Sequence, residues 1–149
     1  MTVEIVIAPG GALGDSVLLW PMLRARAADG ATVVLVSSTS HGSLAARFLP
    51  VEARSIDAPP YPQLWHPDFT AEPDPAVARV TTFAGADDTW FRNASAAFPQ
   101  ARIEVLGNPD RAFALSFESP PPPRPLGGER WALHAGAGGL AKQWPLDRW

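Results

Sequence analysis

The sequence predicts an open, mostly parallel α/β sheet with helices on both faces, a Rossmann-like arrangement. Three observations carry that prediction. Short apolar, β-branched runs at residues 3–8 and 32–36 read as strands buried on both faces. They alternate with stretches whose apolar residues recur at helical spacing, the pattern of βαβ units with right-handed crossovers. Glycine-rich turns stand between strand and helix at two places, residues 9–15 and 135–141, where sheets of this class receive ligands.

The elements follow in order. Residues 3–8 form the first strand, stopped by Pro9-Gly10-Gly11. Gly14-Asp15 opens a helix in which Val17, Leu18, Met22 and Ala25 supply the apolar set, with Arg24 and Arg26 on other faces. Pro21 is tolerable there only within a first turn. Asp29-Gly30 stops the helix before the strand at 32–36. Ser40 is positioned to cap a short helix through Phe48, with Leu44 and Phe48 four apart on one face. A weaker strand at 51–56 precedes a proline-rich excursion at 58–75 containing Trp65 and Phe69. A strand at 79–83, a helix at 87–98 and a strand at 102–106 complete the rhythm. No internal repeat is present.

Residues 119–129 break that rhythm. Pro120 to Pro123, Pro125 and Gly127-Gly128 make a stiff extended linker. A fresh strand at 130–134 follows, then the second glycine loop and a helix start at Pro145. One strand and one helical turn cannot bury a domain by themselves, so residues 130–149 read as the beginning of something cut short.

Composition sets the outer bounds. A chain of 149 residues with 46% hydrophobic and 18% charged residues suits one ordinary domain. Zero cysteines exclude a disulfide scaffold and a thiol-ligated metal. A net charge of −3 leaves no basic footprint for nucleic acid. Apolar runs are strand-length, far short of the ~18–20 residues of a membrane span. Glu4 interrupts what a secretory signal would need. A cytoplasmic protein is the natural expectation. Eleven arginines against the single Lys142 make that lysine conspicuous.

Two loops are candidates for chemistry. In Pro9-Gly10-Gly11-Ala12-Leu13-Gly14-Asp15, Pro9 takes the place of the first glycine, so the dinucleotide fingerprint fails. What remains is a turn that lets backbone approach a ligand, ending in a carboxylate. Asp15 at a helix start reads as an N-cap or, if aimed at a positioned hydroxyl, as a general base. In the second loop, Gly136-Ala137-Gly138-Gly139-Leu140-Ala141 fits G-x-G-x-x-A after a strand, and Lys142 stands at its rim. Backbone amides, the helix dipole and an ammonium there suit a diphosphate; the alternative is a flexible loop with a solvated lysine. A P-loop fails because Ala141 and Gln143 replace the required glycine and hydroxyl. His41, His66 and His134 lack partners at metal-ligand spacing, and Asp87-Asp88 reads as a helix cap. Trp65, Trp90 and Trp131 read as packing.

Taken together, two stretches carry a resemblance. Residues 3–25, with Pro9-Gly10-Gly11-Ala12-Leu13-Gly14-Asp15-Ser16 and Trp20-Pro21-Met22-Leu23, resemble the opening of glycosyltransferase family 9, the heptosyltransferases of lipopolysaccharide core biosynthesis. Residues 134–149, with Gly136-Ala137-Gly138-Gly139-Leu140-Ala141-Lys142-Gln143-Trp144-Pro145, resemble the motif opening that family's second domain. Ala135 and Gln143 stand where the family commonly has proline and arginine.

The resemblance implies a transferase of the GT-B type, two Rossmann-like halves facing across a cleft. Residues 1–118 would be the acceptor-side half, 119–129 the linker and 130–149 the start of a truncated donor-binding half. It further implies inverting transfer of a heptose from a nucleotide-sugar such as ADP-heptose to a glycolipid or oligosaccharide acceptor, without a metal or other cofactor. Asp15 would be the base, Gly10, Gly11 and Gly14 its loop, and Gly136, Ala137, Gly138, Gly139 and Lys142 the diphosphate site. The acceptor would bring the protein to the inner membrane peripherally. Lacking most of the donor half, this chain would turn over poorly alone. The competing expectation is a non-catalytic module that binds a sugar phosphate or a partner protein.

Overall fold

The computed structural model describes residues 2–8, 13–83, 86–107 and 116–117. In chain order the elements are β1 (Val3–Ala8), α1 (Leu13–Leu18), α2 (Trp20–Ala28), β2 (Thr32–Ser37), α3 (Thr39–Phe48), β3 (Val51–Ser55), a 3₁₀ helix (Tyr61–Trp65), β4 (Val77–Thr82), α4 (Asp88–Ala97) and β5 (Arg102–Val105). The strands form one sheet in the order β3-β2-β1-β4-β5, and every pairing is parallel. The predicted α/β sheet is therefore present, with strand ends displaced by a residue or two.

Strand alternation builds two cores. Ile5, Ile7, Val34, Val36 and Val80 turn to one face and pack on Tyr61, Leu64, Trp90, Ala94 and Phe98. Val6, Val33 and Leu35 turn to the other and meet Leu19, Met22, Leu23, Ala45 and Leu49. Right-handed crossovers dictate this division. The chain moves outward from β1 to β3 with α1, α2 and α3 on one face. It then returns to β4 and moves the opposite way, which puts the 3₁₀ helix and α4 on the other. The proline-rich excursion is tied down by Asn93, whose Nδ2 donates to the carbonyls of Leu64 at 3.1 Å and His66 at 2.8 Å.

Local details correct several expectations. The single helix expected from Gly14 onward is two helices broken at Leu19, whose N–H bonds Ser16 at 3.1 Å. A continuous helix would drive the Pro21 ring into the carbonyl of Val17. The break puts Pro21 in the first turn of α2 instead. It also changes the phase of α1, so that Val17 is exposed and Ser16 buried. Arg26, expected on a polar face, is buried. Ser38 rather than Ser40 caps α3, accepting from the His41 N–H at 3.4 Å.

Other expectations hold. Asp87 caps α4 by accepting from the Trp90 N–H at 2.8 Å. At the end of α2, Gly30 adopts φ 89° and donates to Ala27, while Ala31 donates to Arg26. That is a Schellman stop, which favours glycine at the left-handed position. Trp65 and Trp90 pack together with ring centroids 6.1 Å apart. The linker at 119–129, the strand at 130–134 and Trp131 lie outside the described residues.

Gly42 marks the closest approach of α3 to the sheet. A Cβ there would stand 3.2 Å from both Ala53 Cβ and Ser37 Oγ. Gly42→Val is therefore expected to destabilise the domain by about 1–3 kcal/mol through overpacking. The check is the urea midpoint at an unchanged m value.

Candidate functional site at the switch point

Parallel sheets of this kind open a crevice where consecutive connections leave in opposite directions, beyond the carboxyl ends of the strands. Here that point lies between β1, whose connection leads to β2, and β4, whose connection leads to β5. The buried Ile7 pairs with Thr82 at the strand ends. The connections beyond them, at residues 9–12 and 83–87, therefore border the crevice.

α1 is the first described element after β1. Asp15 is its third residue, within the first turn rather than at the cap, and is exposed. Gly14 is exposed beside it, and a Cβ built there meets nothing within 4 Å. Neither packing nor a left-handed backbone requires that glycine. Leu13 and Val17, one turn apart, are 46% and 41% exposed. An apolar pair flanking a carboxylate, on a helix at the ligand-receiving end of the sheet, is a surface made for something other than the core. Leu13 and Val17 were not legible as site residues, because Val17 fits a core stripe as long as the helix is read as unbroken.

Gly10, Gly11, Gly136, Ala137, Gly138, Gly139, Lys142 and His134 lie outside the described residues, so only Gly14 and Asp15 of the expected site residues are placed. Among the described residues no three His, Asp or Glu side chains cluster as a metal site would. His41 is the third residue of α3 and half-buried. His66 Nδ1 accepts from the Asp68 N–H at 3.3 Å, a local turn contact. Among the described residues no helix is long and apolar enough to cross a membrane.

A second charged constellation, missed in the sequence, lies on the sheet face that carries α2. Arg26 Nη1 donates to Thr81 Oγ1 at 2.8 Å and Nη2 to Glu104 Oε2 at 3.4 Å, with Nε 3.5 Å from Glu4 Oε2. Arg79 approaches Glu4 at 3.7 Å, and Arg102 approaches Glu104 at 3.1 Å. Burial pushes the Arg26 guanidinium below its ordinary value, against which Glu4 and Glu104 favour the charged form and Arg79 does not. The cluster is an internal ion network. Its only sequence trace was a carboxylate inside each of two otherwise strand-like runs, Glu4 and Glu104.

The fold and the switch-point surface define an α/β protein of the Rossmann-like class. Compared with protein-family models, with curated proteins and with solved structures, the chain finds no match.

Proposed function

We propose that the chain is the acceptor-side half of an inverting glycosyltransferase of the heptosyltransferase type, with a GT-B architecture completed by a donor-binding half. The observation that carries this reading is α1. It presents Asp15 between exposed Leu13 and Val17 at the switch-point end of the sheet. The motif resemblance around residues 3–25 and 134–149 supplies the reaction class.

In this reading Asp15 takes the proton from an acceptor hydroxyl as its oxygen attacks the anomeric carbon of the donor. The bond from that carbon to the diphosphate oxygen breaks on the opposite face, which inverts the configuration. Negative charge grows on the departing nucleoside diphosphate. Lys142 and the amides of Gly136, Gly138 and Gly139 would hold it, since preorganised donors count most where charge develops. Leu13 and Val17 would lie against the apolar faces of an acceptor sugar, and Gly14 would let it approach the backbone.

The test is transfer from ADP-heptose to a heptose-deficient lipopolysaccharide core acceptor by the protein carrying its donor half. Product with the inverted anomeric configuration supports the assignment. Absence of turnover with ADP- and other nucleotide-sugars, alongside folded protein, would refute it. Gly14→Ala separates function from stability. The helix interior prefers alanine by up to ~1 kcal/mol, so the unfolding midpoint should stay level or rise. The acceptor KM should increase severalfold, because the new methyl group stands where the acceptor packs.

A further inference from the structure

β5 is the outer strand of the sheet on one side, and its free edge has a definite chemical pattern. The Leu106 N–H bonds the Thr82 carbonyl of β4 at 2.9 Å, so the backbone groups of Arg102, Glu104 and Leu106 point into the sheet. By strand alternation, Ile103 and Val105 point their N–H and C=O groups outward. Among the described residues nothing bonds to them. Val105 is 40% exposed.

The opposite edge is different. On β3, Val51, Ala53 and Ser55 face outward, because the Ile56 N–H bonds Ser37 of β2. The Val51 N–H is folded back onto Leu49 at 2.9 Å, and the Ser55 carbonyl accepts from Ala58 at 3.1 Å. Only Ala53 keeps both groups. β3 is blunted by its own chain, whereas β5 is not, and an unblunted edge is a template for another strand.

We propose that two copies of this chain pair antiparallel through their β5 edges, about a two-fold axis at Ile103. The register follows from the side chains. With Ile103 opposite Ile103 of the second copy, Arg102 stands opposite Glu104 of the second copy, and the reverse contact is generated by symmetry. Directly opposed residues in antiparallel strands share a face, so these charges meet. Arg102 already lies 3.1 Å from Glu104 of its own strand, so the charges form a closed ring of alternating sign. Centring the axis on Glu104 would oppose two carboxylates instead.

Backbone polarity selects the same register. Ile103 is outward-facing, as the residue on the axis of a hydrogen-bonded pair must be. It exchanges both main-chain bonds with its symmetry mate. The Val105 N–H reaches the Ala101 carbonyl of the second copy, whose own N–H is engaged by Phe98 at 3.0 Å. Side chains offer no obstruction: Arg102 and Glu104 line a groove of about 650 Å³ with Arg26, Arg79 and Phe117, on a face where no described helix lies.

The experiment is sedimentation of the full 149-residue chain between about 1 and 200 µM, the range suited to a small interface. The expected species has twice the 15.9 kDa of the monomer and does not grow further. Arg102→Glu places a carboxylate opposite each Glu104 and should weaken association about tenfold or more. Val105→Pro removes an outward N–H that the sheet does not use, a change edge strands tolerate, and should weaken it comparably. Both variants should keep the parent's unfolding midpoint. A chain that is monomeric throughout, that grows past a dimer, or whose dimer ignores both substitutions would overturn the proposal. None of these outcomes bears on sugar transfer.

Discussion

Replacing Arg26 by alanine is expected to cost about 3–5 kcal/mol of folding stability, a large share of the ~5–15 kcal/mol of an ordinary domain. The reason is the group left behind more than the group removed. Arg26 is 9% exposed and lies between strands β1, β4 and β5, each of which offers it an oxygen. Glu4 Oε2 is buried and makes no hydrogen bond, so its compensation is the guanidinium charge 3.5 Å away. Without Arg26, Glu4 keeps only Arg79 at 3.7 Å, from a side chain that is 35% exposed. Removing one partner of a buried pair strands the other, while removing both can be nearly neutral. Arg26→Met combined with Glu4→Gln should therefore recover much of the loss. Denaturant titration of both variants at constant m checks this, and a loss below ~1 kcal/mol for Arg26→Ala would show the network to be solvent-screened.

The second large effect concerns turnover. Asp15→Asn in the protein carrying its donor half should lower kcat by about 10²–10⁴, the usual contribution of a positioned general base. Asparagine keeps the size and loses the proton acceptor. Acceptor KM should change little, since Leu13, Gly14 and Val17 remain. Stability should move by less than about 1 kcal/mol, because the residue is exposed in the first turn of a short helix. That split between kcat and stability distinguishes a base from a cap. Near-normal turnover in the variant would remove Asp15 from the mechanism.

Strands were the most readable part of the sequence, because Val3–Ala8 and Thr32–Ser37 are β-branched and buried on both faces. Their alternation with helical stretches is enough to give the class of sheet. The cap at Asp87 and the stop at Gly30 were readable for local reasons, since each acts on residues within a turn of itself. Arg26 was not. Its burial depends on Glu4, Thr81 and Glu104, partners brought in from three strands, and no short-range pattern encodes that meeting. Val17 misled because a helical stripe presumes an unbroken helix, and Pro21 moves the break to Leu19. Of the candidate site, Asp15 and Gly14 were visible as a glycine turn ending in a carboxylate. Their apolar flanks only became visible once the phase of α1 was known.

The placement of β1 at the centre of the sheet has a consequence for biosynthesis. β1 pairs on one side with β2, reached after a short connection, and on the other with β4, which begins only at Val77. During translation, at roughly 5–20 residues per second, the β1-β2-β3 half can close while the rest is still being made. For several seconds the emerging chain thus presents a half-sheet whose future centre is an open edge. Ile5, Ile7, Val34 and Val36 stay wet until Tyr61, Leu64 and then Trp90 arrive to cover them. The nascent chain is most exposed to chaperones and to mispairing in that interval, and the order of its strands sets how long it lasts.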